Sequence, residues 1–166
     1  MQMTVTTESG AEFLVRRAVR GDLADIVALL TDDPLGRTRE SADLAPYARA
    51  FALVDEDANQ FLSAVEDDEH TLVGTFQLTT IPGLSRGGTT RLQVEGVRIA
   101  RAARGAGLGH ALFGWIEQFA RSRGASLLQL TSDRSRADAL RFYSDLGYTP
   151  SHEGFKRSVP IDAPGD

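Results

Sequence analysis

Apolar positions along the chain alternate between two periods, and the change of period marks its elements. Leu108, Ala111, Leu112, Trp115, Ile116 and Phe119 recur at helical spacing with one apolar face. Just before them, Val94 to Ile99 reads as a buried strand, and between the two lies Arg104 to Gly109, a loop with glycine at every second position. Upstream, Phe13 to Arg17 looks like a strand. It turns at Ala18 to Asp22, with Asp22 as N-cap, into a helix whose buried side is Leu23, Ile26, Val27 and Leu30. A loop around Asp32-Asp33-Pro34 separates this from a second helix marked by Leu44, Tyr47, Ala48 and Phe51. Gln60 to Glu66 and Thr71 to Ile81 form two strands joined by the acidic turn Asp67 to His70, and Pro82 to Gly88 breaks the second strand. Ser126 to Thr131 is a short strand. Arg136 to Leu146 is a helix stopped by Gly147, and Tyr148 to Pro150 and Glu153 to Val159 read as the last strands.

The order β-α-α-β-β-β-α-β-α-β-β predicts an α+β fold, a mixed and mostly antiparallel central sheet flanked by helices on both faces. Neither repeats nor linkers interrupt it, so residues 1–166 are expected to form one domain with a core of about 13–159. The polar stretches 1–11 and 161–166 are expected to be flexible tails.

Composition narrows the chemistry. A net charge of −5 lacks the basic excess of a nucleic-acid binder and suits a cationic amine as substrate. With no cysteine, a thiol nucleophile, a disulfide framework and a thiolate metal site are excluded. His70, His110 and His152 have no metal-ligand spacing, so no metal is expected. Neither a membrane span nor a signal peptide is apparent, which makes cytoplasm the default compartment.

The stretch from Gln93 to Arg123 carries the candidate site. Strand, glycine loop and helix start together make an anion cradle, because glycine brings backbone N–H groups close and the helix N-terminus adds partial positive charge. Arg101 and Arg104 add full charges, so the loop reads as a phosphate site. Gly105, Gly107 and Gly109, followed by His110, do not make the dinucleotide fingerprint Gly-x-Gly-x-x-Gly. No lysine follows to complete a P-loop either.

Arg104-Gly105-Ala106-Gly107-Leu108-Gly109, preceded by Val97-x-Ile99, instead resembles the acetyl-CoA signature of the GNAT N-acetyltransferase superfamily. A second match, Ala139-Leu140-Arg141-Phe142-Tyr143-Ser144-Asp145-Leu146-Gly147-Tyr148, is similar to that family's Ala-x-x-Phe-Tyr-x-x-x-Gly-Phe/Tyr helix end. The resemblance covers Phe13 to Val159 in the family's element order. It implies an enzyme that moves the acetyl group of acetyl-CoA to a primary amine of a small molecule or peptide by direct attack in a ternary complex. Main-chain groups of Val97 and Ile99 are then expected to pair with the pantetheine arm. The diphosphate is expected on Arg104, Gly105, Ala106, Gly107, Leu108, Gly109 and His110, with Tyr143 also at the cofactor.

For catalysis, the resemblance makes the Val97 N–H the oxyanion donor and Tyr143 the acid that protonates the leaving thiolate. An alkylammonium arrives charged and must lose a proton. Many relatives carry Glu at the position of Gln93, which cannot act as a base. Glu95 is therefore the candidate, with a substrate-binding or ion-pairing carboxylate as its alternative reading. Simple alternation places Glu95 on the face of Val97, and Arg98 on the other face in a structural or solvent-facing role. Asp32 and Asp33 are either amine contacts or a solvated acidic turn, and Arg86 either touches substrate or points to water. Arg136 stands where relatives often carry Asn. Homodimers are common in the family, and the residues leave that point open. The alternative reading is a non-catalytic acyl-CoA-binding regulatory domain; a nucleotide-binding module is disfavoured by the glycine spacing.

Overall fold

The computed structural model describes residues 2–32 and 36–160. Asp33 and the 161–166 tail of the sequence reading lie outside them. The chain divides into two compact units, Met1–Leu130 and Thr131–Asp166.

The first unit is built on a six-stranded sheet in sequential order: β1 (Gln2–Thr6), β2 (Glu12–Arg17), β3 (Gln60–Glu66), β4 (Leu72–Ile81), β5 (Arg91–Ile99) and β6 (Leu127–Leu130). β1 to β5 are antiparallel neighbours, whereas β6 runs parallel to β5. A parallel neighbour needs a long crossover, which α3 (Leu108–Ser122) supplies. β1 corrects the sequence reading: Gln2–Thr6 is a strand paired with β2 and not a frayed tail. Its turn is closed by Thr7 N–H to the Ala11 carbonyl (2.9 Å) and by Gly10 at φ +87°.

Each sheet face has its own cover. Val15, Phe61, Val65, Phe76, Leu78, Leu92 and Val94 are buried on one face, where the apolar stripe of α3 packs. Trp115 lies 5.4 Å from Phe61 and 5.6 Å from Phe76, centroid to centroid, and Phe119 lies 5.1 Å from Phe61. Contacts of this kind add about 0.5–1.5 kcal/mol per pair beyond area burial. On the other face, Ala64 meets Leu23, Ile26 and Val27 of α1 (Leu23–Thr31) and Phe51 of α2 (Ala45–Glu56), with Leu62 and Tyr47 packed against them. The helical periodicities seen in the sequence thus predict α1, α2 and α3 and their buried sides, except that Leu44 is the exposed N-cap residue of α2.

Asp22 occupies the N-cap position of α1, but its carboxylate does not cap that helix. It accepts the Val19 N–H at 2.7 Å and two Arg16 N–H bonds at 2.7 and 2.8 Å. Arg16 Nε also donates to Glu66 at 2.9 Å, so one guanidinium ties β2, the α1 entry and β3 together. The Arg16 hydrogen bonds, followed by that of the Val19 N–H, hold the Asp22 carboxyl below its ordinary value against the opposing effect of burial.

In the second unit, α4 (Ala137–Asp145) ends as the sequence requires. Gly147 has φ +83°, its N–H bonds the Ser144 carbonyl at 2.9 Å, and the Tyr148 N–H bonds the Tyr143 carbonyl at 3.0 Å. This is the paired closure of a left-handed C-terminal cap. The expected strands at Tyr148–Pro150 and Glu153–Val159 are not formed; the chain from 148 to 160 carries no regular element. Phe155 and Val159 are exposed there, so the alternation that suggested strands has no buried face to serve.

Candidate active site

The site is organised by a discontinuity in β5. Gln77 stands opposite Glu95, but Thr75 stands opposite Arg98, so β5 carries one residue more than β4 between these pairs. Gly96 and Val97 together oppose Phe76, a bulge, and Gly96 takes φ +60° to make it. A Cβ at Gly96 would meet nothing within 4 Å, so glycine is needed there for its conformation and not for space.

The bulge changes which side chains share a face. Thr75 and Gln77 are two apart on a regular strand and point the same way, so their partners Arg98 and Glu95 do too. The alternation argument that put Glu95 with Val97 and Arg98 opposite is therefore corrected. Glu95 shares its face with Gln93 and Arg98, and Val97 belongs to the other. Glu95 is exposed, and Arg98 is half-buried with Nη1 donating to the Val97 carbonyl at 2.8 Å.

Past the bulge β5 has an open edge. Its pairing with β6 stops at Val94–Leu130, whereas its pairing with β4 continues to Ile99. The Ala100 N–H bonds the Val73 carbonyl at 2.7 Å, which turns residues 98 and 100 toward β4 and the main-chain groups of Val97 and Ile99 away from it. Two guanidiniums meet the carbonyls on that outer side. Arg98 reaches Val97, and Arg104 Nε donates to Ile99 at 2.8 Å.

The strand leads through a short 3₁₀ turn, Arg101–Ala103, into the glycine loop. Gly105 and Gly107 both have φ +81°, and Gly107 is the N-cap of α3. The N–H groups of Leu108, Gly109 and His110 lie in the first turn, where an α-helix offers them no internal acceptor. Behind the loop stands the β1–β2 turn: a Cβ on Gly107 would come 3.7 Å from the Thr7 Cβ. The sequence reading missed this backing, although Thr4-Val5-Thr6 followed by Ser9-Gly10 carried a hairpin signal. Arg101 points elsewhere, its Nε 3.4 Å from Asp32 at the end of α1. That pair gives Asp32 a partner within the protein.

A cavity of about 540 Å³ lies next to this loop, lined by residues 10–13, Asp67, Asp68, Val73, Ala102, Ala103 and Ala106. Glu12, Asp67 and Asp68 line it, so it is a poor match for a diphosphate. Arg86 is exposed at φ +54° in the β4–β5 turn. Tyr143 belongs to the second unit, where its half-buried ring lies 6.1 Å from Tyr148 and 5.5 Å from Phe142. Among the described residues no group of three acidic, histidine or cysteine side chains is arranged to hold a metal, and no helix is long and apolar enough to cross a membrane.

Comparison with known proteins matches residues 23–148 to the model of the acetyltransferase (GNAT) family. Aminoalkylphosphonate N-acetyltransferase of Salmonella typhimurium is 34% identical over 67 residues, 40% of this chain and 44% of that protein. N-alpha-acetyltransferase 80 of Mus musculus is 47% identical over 57 residues, 34% of this chain and 17% of that protein. The chain thus spans less than half the length of these curated relatives. A solved structure described as a transcriptional regulator from Bacillus halodurans C-125 is 43% identical, with a TM-score of 0.82 over 87% of this chain and 98% of that one.

Proposed function

Since the chain belongs to the acetyltransferase (GNAT) family, we propose that it transfers the acetyl group of acetyl-CoA to a primary amine. The observation that carries this reading is the open edge of β5. Val97 and Ile99 present outward main-chain groups, and the same strand runs directly into a loop of left-handed glycines at a helix N-terminus. That combination suits a ligand with an amide-bearing arm and a diphosphate.

In this reading Val97 and Ile99 hold the pantetheine amides as an added strand would. Arg104 and the N–H groups from Gly105 to His110 hold the diphosphate, to which the helix end adds favourable charge. Acetyl-CoA supplies an activated acetyl thioester. Glu95 takes the proton of the incoming ammonium, directly or through a water, and the Val97 N–H is the donor for oxyanion charge. Tyr143 supplies the proton for the thiolate; a phenol and a thiol ordinarily ionise near roughly 10 and 8.5, close enough for transfer. The acceptor is a small-molecule or peptide amine.

The name of the 43% identical structure supports a second reading, a regulatory domain that binds acyl-CoA without turnover. Free-thiol release from acetyl-CoA with a panel of amines separates the two. Turnover that Gly107→Trp abolishes is expected. Tight acetyl-CoA binding with no thiol release from any amine would favour the regulatory domain.

A further inference from the structure

One row of side chains crosses the middle of the sheet on the face of Glu95, and the proposed chemistry does not use it. Gln60 of β3 stands opposite Thr79 of β4, Thr79 opposite Gln93 of β5, and Gln93 opposite Gln129 of β6. Gln77 sits one pair along from Thr79, directly across from Glu95. At about 4.8 Å between strands the row is roughly 14 Å long. All five polar side chains are half-buried. The helices cover the neighbouring Leu62 and Ala64 instead.

A solvated sheet surface ordinarily carries charged and β-branched residues. Here there are four primary amides, already joined in pairs. Gln77 Nε2 donates to Gln60 Oε1 at 2.9 Å, where Thr79 Oγ1 also donates at 2.9 Å, and Gln129 Nε2 donates to Gln93 Oε1 at 2.6 Å. A primary amide has two donor hydrogens and an acceptor oxygen. Each pair therefore keeps N–H groups on one member and a carbonyl oxygen on the other. Exchanging O and N in both members only moves these to the opposite partner. The amide row beside Glu95 thus offers donors and acceptors side by side from uncharged side chains, with Arg91 and Arg98 flanking it on the same face.

We propose, resting on the acetyltransferase reading, that Gln60, Gln77, Gln93 and Gln129 select an acceptor amine bearing several hydroxyl groups, with its ammonium at Glu95. A hydroxyl donates and accepts at once, so hydroxyls on neighbouring carbons satisfy both halves of each amide pair. An apolar amine would take the amides out of water with nothing in return, and sites built to bond a hydroxyl reject analogues without one strongly.

The test compares an aminocyclitol with cyclohexylamine, the same ring with and without hydroxyls, in thiol release from acetyl-CoA and by calorimetry in the presence of coenzyme A. The wild type is expected to favour the aminocyclitol by about a hundredfold or more in kcat/KM and to bind it more tightly. Gln93→Leu and Gln129→Leu should each shrink that preference by roughly tenfold, through the hydroxylated amine. Equal use of the two amines, or variants that slow both alike, would overturn the assignment. Should no amine be acetylated, the acetyltransferase reading fails by itself. The calorimetric comparison then decides the amide row, and an aminocyclitol bound no more tightly than cyclohexylamine refutes it.

Discussion

Glu95 and Arg98 lie on one face of the central sheet although three positions separate them, because Gly96 and Val97 together oppose the single residue Phe76. The bulge also turns the main chain of Val97 toward the edge that β6 leaves open. The candidate base, the candidate oxyanion donor and the cofactor edge thus depend on one glycine at φ +60°.

Replacing that glycine should be costly for a backbone reason alone. Open space surrounds its Cβ direction, so Gly96→Ala should lower stability by about 1 kcal/mol and Gly96→Val by more. Urea unfolding measures this. Both variants should also lose acetyl-CoA affinity as the bulge relaxes.

Arg104 donates to the Ile99 carbonyl and heads the glycine loop. Removing a charged donor from a phosphate site costs about 1.5–3 kcal/mol. Arg104→Gln should therefore raise the acetyl-CoA Kd by roughly tenfold to a hundredfold, read by isothermal titration, without altering the far-UV spectrum.

Glu95→Gln keeps shape and removes the candidate base. Its kcat should fall by about 10²–10⁴-fold with little change in KM for acetyl-CoA. Steady-state kinetics with a saturating amine provide the check, and a kcat equal to wild type would take Glu95 out of the proton-transfer role.

Tyr143→Phe removes one hydroxyl from α4, where Phe142 already supplies a packing aromatic. A kcat reduced by about tenfold to a thousandfold, with the acetyl-CoA KM preserved, is expected. An unchanged kcat would make the tyrosine structural.

The Arg16–Asp22 pair predicts a pH effect on stability. The folded-state pKa of Asp22 is depressed, so its contribution is present above the ordinary value of 3.8 and is lost as pH falls through the folded-state value. Asp22→Asn should cost about 1–3 kcal/mol at pH 7 and progressively less in acid, as seen in urea melts from pH 7 to pH 2. A constant difference across that range would contradict the coupling.

Much of this was legible along the chain. The α3 stripe, the Phe51 side of α2, the hairpin at Asp67–His70 and the Gly147 stop are local patterns, each fixed by residues within a turn or two of one another. The strand from Gln2 to Thr6 was hidden because its polar residues alternate against a single buried Val5. The expected final strands failed for the converse reason: alternation around Phe155 finds no face to bury.

By itself the sequence determined the helices, the strand–glycine loop–helix unit and the family these motifs point to, because periodicity and left-handed turns are short-range properties of the backbone. Tertiary structure decided which side chains face each other across strands: the Glu95–Arg98 face, the amide row from Gln60 to Gln129, and the N-terminal hairpin behind Gly107. Cross-strand register along the Glu95–Arg98 face and the amide row depends on pairings between residues 14 to 36 positions apart. One inserted residue reverses every face beyond it, and no local pattern records that choice.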